Sequence, residues 1–78
     1  MPLTFAMVRI IERILAERLV HADVRVHRAG DTYAITVLVD PEGDVDAQEI
    51  DRVARPCGMR VVAVPNDLFD EFLLVEDV

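Results

Sequence analysis

The sequence predicts an α+β fold. The expected architecture is a two-layer sandwich in the order α-β-β-α-β-β, with two helices on one face of a small, mostly antiparallel sheet. Three observations predict it. Apolar residues recur at helical spacing through the first twenty positions. Period-two alternation then runs on both sides of a short glycine-containing turn, the pattern of a hairpin. A second helical stripe, opened by a capping sequence and closed by proline and glycine, separates that hairpin from two further apolar strand-like runs.

The first helix is expected from about Thr4 to Val20. Leu3, Met7, Val8, Ile10, Ile11, Ile14, Leu15 and Leu19 fill about half of its circumference, while Arg9, Glu12, Arg13 and Glu17 fill most of the rest. Arg18 falls inside the apolar arc near its C-terminal end, where a cation suits the helix dipole. An arc this wide can cover a sheet and also touch a second surface.

In the hairpin, Val24 and Val26 alternate with Asp23, Arg25 and His27. After the turn Arg28-Ala29-Gly30-Asp31, residues Tyr33, Ile35, Val37 and Val39 alternate with Thr32, Ala34, Thr36 and Leu38. The outer face of the first strand is polar and reads as wet. That of the second strand is apolar enough to place it centrally or under partial cover.

Asp40-Pro41-Glu42-Gly43-Asp44 has turn chemistry. Asp46 is the N-cap candidate of the second helix, with Glu49 completing a capping box and Val45 and Ile50 in staple positions. Val45, Ile50, Val53, Ala54 and Cys57 trace its buried stripe, and Pro56 and Gly58 end it. Met59 to Val64 reads as the third strand, stopped by Pro65. Asn66 to Glu71 carries a helix-start pattern. Even so, Glu76 and Asp77 would oppose the dipole at a helix C-terminus, so a loop and then a strand over Phe72–Val75 is expected.

Seventy-eight residues make a single small domain. An apolar content of 53% excludes disorder, and its surplus points to burial in a homo-oligomer. One cysteine excludes an intrachain disulfide. The charges at Arg9, Glu12, Arg13, Glu17 and Arg18 exclude both a signal-peptide core and a membrane span, so a cytoplasmic protein is expected.

Charge is distributed unevenly. Residues 1–39 carry five arginines against four acids; residues 40–78 carry three against eleven, and there is no lysine. The second half repels phosphates and bilayer headgroups, which argues against direct nucleic-acid binding and against membranes.

Asp40, Glu42, Asp44 and Asp46 alternate, but Gly43 is misplaced for a calcium-binding EF-hand loop. Turn and N-cap charges account for them. With Asp67, Asp70 and Glu71 they form the candidate partner-binding set, an acidic surface able to steer a basic protein or to mimic nucleic acid.

Cys57 lies at a helix C-terminus, where the dipole disfavours a thiolate; a buried structural role is expected. His21 and His27 share a strand face by parity with Asp23 and Arg25. They read as solvated residues, with a metal or pH-sensitive patch as the sharper alternative. The Arg25, His27, Arg28 cluster lacks the flanking aromatics of a nucleic-acid site. The chain contains no serine, and its three glycines are isolated. No catalytic, cofactor-binding or metal-ligating residue is assigned, and no enzymatic activity is expected.

Asp23-Val24-Arg25-Val26-His27-Arg28, Gly30, Tyr33, Val37, Asp40, Gly43, Val45 and Arg52-Val53-Ala54-Arg55 resemble the N-terminal domain of RimP-type ribosome maturation factors, with Ala54 where that family has serine. To a similar degree, Val20 to Tyr33 is similar to the start of the cytoplasmic domain of cation diffusion facilitators. The first resemblance implies a ribosome-assembly accessory. The second implies a metal-responsive regulatory domain that dimerises, on an α-β-β-α-β core. The residues by themselves lead to a small acidic module that works by protein–protein contact and self-associates.

Overall fold

A computed structural model describes residues 3–43 and 45–77. The elements are helix α1 (Phe5–Arg18), strands β1 (Ala22–Ala29) and β2 (Thr32–Val39), helix α2 (Ala47–Ala54), and strands β3 (Met59–Val64) and β4 (Asp70–Glu76). The fold is α+β, with a four-stranded sheet in the order β1-β2-β4-β3 and every neighbouring pair antiparallel. The expected "mostly antiparallel" sheet is thus wholly so. β2 is one of the two central strands, which accounts for its apolar outer face.

Helix α1 starts where Thr4 Oγ1 accepts the Met7 N–H at 3.2 Å. The Leu3 N–H donates to Thr32 Oγ1 at 3.3 Å, tying the chain ahead of α1 to the start of β2. Phe5 packs on Tyr33 with ring centroids 5.6 Å apart at the same end. Of the wide apolar arc, α1 buries Val8, Ile11 and Leu15, flanked by Leu3 and Leu19. Met7 is 47% exposed and Ile10 62% exposed. A helix lying on one sheet buries a single stripe, so the second half of the arc stays in solvent.

Strand β1 runs two residues, Arg28 and Ala29, further into the hairpin turn than the sequence suggests, while β2 starts at Thr32 as expected. Ala29 pairs with Thr32, leaving a two-residue turn of Gly30 and Asp31 with Gly30 at φ 63°. That left-handed conformation favours glycine. Helix α2 is capped as expected: Asp46 accepts the Glu49 N–H at 3.0 Å. It ends in a single 3-10 turn over Arg55–Cys57, closed by Gly58 at φ 78°. Cys57 is half-buried against the core rather than fully enclosed. The tail is a strand, longer than Phe72–Val75 and preceded by bends through Asp67–Phe69.

Side chains alternate across the sheet. One face carries Ile35, Val37, Val39, Leu74 and Met59, all fully buried, and with Ile50 and Ala54 of α2 they join the α1 stripe in one core. Both helices therefore cover this face, α1 over β1 and β2, α2 over β3. No polar or charged residue is buried among the described residues.

Candidate interaction surface

Among the described residues, no helix lies over the second sheet face. Antiparallel pairing sorts its residues into rows that run across all four strands. The middle row is Arg25, Thr36, Leu73 and Val62. On one side lies the row Asp23, Leu38, Glu71 and Val64. On the other, His27 pairs with Ala34, and Arg60 pairs with Val75.

An antiparallel sheet with one wet face normally alternates apolar-in with polar-out. Here only β1 does so. β2, β4 and β3 place Leu38, Leu73, Val75, Val62 and Val64 on the open side, all half-exposed. The result is an apolar surface over β2, β4 and β3, with charge along β1 and at Glu71 and Arg60 in the two outer rows, and such a mixed patch suits protein contact. Ala34 on the same face is only 2% exposed.

The margin is polar and ordered. Arg25 Nε donates to Asp23 Oδ2 at 2.9 Å along β1. His27 Nε2 and Thr36 Oγ1 are hydrogen-bonded at 2.9 Å across β1 and β2. His27 and Arg60 mark one end of the face, Asp23 and Glu71 the other.

The sequence-predicted acidic residues gather at that second end. The pairing of Val39 with Asp70 sets the Asp40 turn beside the start of β4. Asp40 accepts the Glu42 N–H at 3.0 Å. Asp67 and Asp70 are exposed, and Glu71 is half-buried, its Oε1 accepting from Asn66 Nδ2 at 2.8 Å. Asp46 belongs to the cap of α2, and Asp44 lies outside the described residues. Leu68, 75% exposed, stands among these acids with its N–H held by Asn66 Oδ1.

His21 does not join His27 on the open face. It precedes β1 and lines a shallow cleft with Asp40, Glu42 and Gly43. Among the described residues no group of three or more His, Cys, Asp or Glu side chains is arranged to hold a metal ion. A larger open cleft of about 570 Å³ lies between α2 and β3, with Val61, Ala63 and Phe72 as an apolar floor and Asp51 and Arg52 on its wall.

The sequence reading took Phe72–Val75 as a buried strand and offered that tail strand as a candidate contact surface, but it did not bring Leu73 and Val75 together with Val62 and Arg60 on one face. The signal was present in the unbroken apolar runs Val61-Val62-Ala63-Val64 and Phe72-Leu73-Leu74-Val75. A strand apolar on both sides needs two covers, and two short helices supply only one layer.

No protein-family model matches this chain, and neither a curated protein nor a solved structure matches it. What defines the protein is the fold class itself, two helices on a four-stranded antiparallel sheet, together with the uncovered apolar face. No helix among the described residues is long and apolar enough to cross a membrane.

Proposed function

We propose that this chain is a non-enzymatic, cytoplasmic protein-interaction module that self-associates through its open sheet face and presents an acidic pole to a basic partner. The observation that carries the reading is the apolar surface of that face, Leu38, Leu73, Val62, Val64 and Val75, left uncovered by α1 and α2. Hydration of such a patch is unfavourable at roughly 25 cal/mol per Å² of apolar area, so covering it is favourable. The clustering of Asp40, Glu42, Asp67, Asp70 and Glu71 at one end of the sheet supports the second half of the proposal. A net charge of −7 in so small a chain raises the encounter rate with a basic surface and lowers it with nucleic acid.

The test is the solution mass by light scattering across a concentration series at low and high salt. A concentration-dependent dimer supports self-association. A monomer at every concentration and salt removes it. A basic model partner, such as a polyarginine peptide, should associate more slowly as salt rises; an association rate independent of salt removes the steering role.

A further inference from the structure

We infer that two copies of this chain stack open face on open face about a two-fold axis that lies in the interface and runs perpendicular to the strands. This rests on the self-association reading above and adds the geometry, the contacts and the partner, which is a second copy of the chain.

A symmetric dimer made by stacking two sheets has its two-fold axis in the plane between them. In the aligned class of sheet packing, which flat stacking of whole strands favours, the strands keep within about 30° of one another. Two arrangements then remain, with the axis either along the strands or across them. The rows of the open face discriminate between them.

With the axis along the strands, each row lies over itself, reversed left to right. His27 then sits over Arg60 of the second copy, a cation facing a base. Val62 lies over Arg25 and Leu38 over Glu71, apolar side chains on charges, and Arg60 has no acidic side chain of the other copy opposite or beside it.

With the axis across the strands, each strand lies over itself and the two outer rows exchange. His27 now faces Asp23 of the second copy. Arg60 faces Val64, whose neighbour on the adjacent strand is Glu71. Strands in one sheet are about 4.8 Å apart, within reach of an arginine side chain. Leu73 meets Leu73 and Val62 meets Val62 near the axis. Leu38 meets Ala34, apolar on apolar. Arg25 meets its own copy at the rim, where each guanidinium is already held by Asp23. The second arrangement brings Arg60 beside Glu71 of the second copy at both ends and sets Leu73 and Val62 on themselves between them, while Glu71 itself lies over Val75.

The area sets the strength. Four strands about 4.8 Å apart and some seven residues at about 3.3 Å each give roughly 400 Å² in projection for each copy. Doubled, that lies below the 1,200–2,000 Å² of a typical stable complex, so the dimer is weak and reversible.

Within one chain Arg60 and Glu71 are two rows apart, about 13 Å along the strands, and form no ion pair. Any coupling between them therefore arises between copies. The experiment measures dimerisation by sedimentation equilibrium for the natural chain, for Arg60→Glu, for Glu71→Arg, and for an equal mixture of the two variants. Each variant alone places like charges at two symmetry-related contacts and should weaken dimerisation about tenfold. In the mixture both contacts are again opposite in sign, so association should return to near the natural level.

A mixture no tighter than its components, or a dimer strengthened by Arg60→Glu alone, overturns this orientation. Monomeric behaviour of the natural chain at all concentrations overturns the underlying self-association instead. Circular dichroism confirms that the variants fold. If either does not, the neutral substitutions Arg60→Gln and Glu71→Gln serve in their place, each expected to weaken the dimer about threefold, and no change in either overturns the orientation.

Discussion

Asp46 and Glu49 are joined by a hydrogen bond of 3.0 Å from the Glu49 N–H to the Asp46 carboxylate, and this bond begins a helix of only eight residues. So short a helix has little intrinsic stability and depends on its cap and on the burial of Ile50 and Ala54. Asp46→Ala should destabilise the domain by about 1 kcal/mol, and Asp46→Asn by much less. Urea unfolding of both variants reads the difference. An equal loss in the two would mean that the charge, and not the hydrogen bond, is what matters.

The division of α1 into a buried stripe and an exposed one gives a second expectation. Leu15→Ala removes a fully buried side chain and should cost about 2–5 kcal/mol, a large part of the stability of a domain this size. Ile10→Ala, at a position 62% exposed, should change stability by less than about 0.5 kcal/mol. Thermal melts of the two variants check the contrast.

Gly30 and Gly58 both have positive φ, and a methyl group added at either would meet nothing within 4 Å. Any loss on substitution is therefore conformational rather than steric. Gly58→Ala should cost about 1 kcal/mol and Gly58→Asn less, because asparagine tolerates the left-handed region. A Gly43→Ala variant differs in kind. Its methyl would lie 3.1 Å from the Asp40 carbonyl oxygen, so the turn after β2 must shift to admit it.

Leu73 lies at the centre of the open face, half-exposed in the single chain. Leu73→Gln should leave the helix-covered core intact and lower the melting temperature only slightly at high dilution. It should weaken self-association at least tenfold, because a buried amide without partners costs about 1–3 kcal/mol in each copy. Light scattering and circular dichroism on the same samples separate the two effects.

Local chemistry was legible in the sequence; long-range arrangement was not. The cap at Asp46, the stop at Pro56 and Gly58 and the end of β3 at Pro65 all follow from residues within one turn of each other. Which half of the α1 arc is buried depends on where the sheet lies, and periodicity cannot distinguish Ile10 from Ile11. The insertion of β4 between β2 and β3 is a property of tertiary pairing, and with it comes the juxtaposition of Asp40 with Asp70. The acidic residues were recognisable as a set in the sequence, but Asp46 proves to be committed to a cap. The open face became visible only when the register placed Leu38, Leu73 and Val62 side by side.

The strand order has a consequence for how the chain holds together. Helix α1 with β1 and β2, and helix α2 with β3 and β4, are two α-β-β halves of similar plan, placed back to back. Each hairpin pairs residues near in sequence, whereas β2 and β4 pair residues 31 to 39 positions apart. Among the described residues, that central ladder is the sole backbone stitching between the halves. Each half is only about 40 residues, a size at which a chain seldom buries enough surface to fold alone. Neither half therefore has a stable existence without the other, and the domain is expected to melt as a single cooperative unit, opening along the line between Thr36 and Leu73.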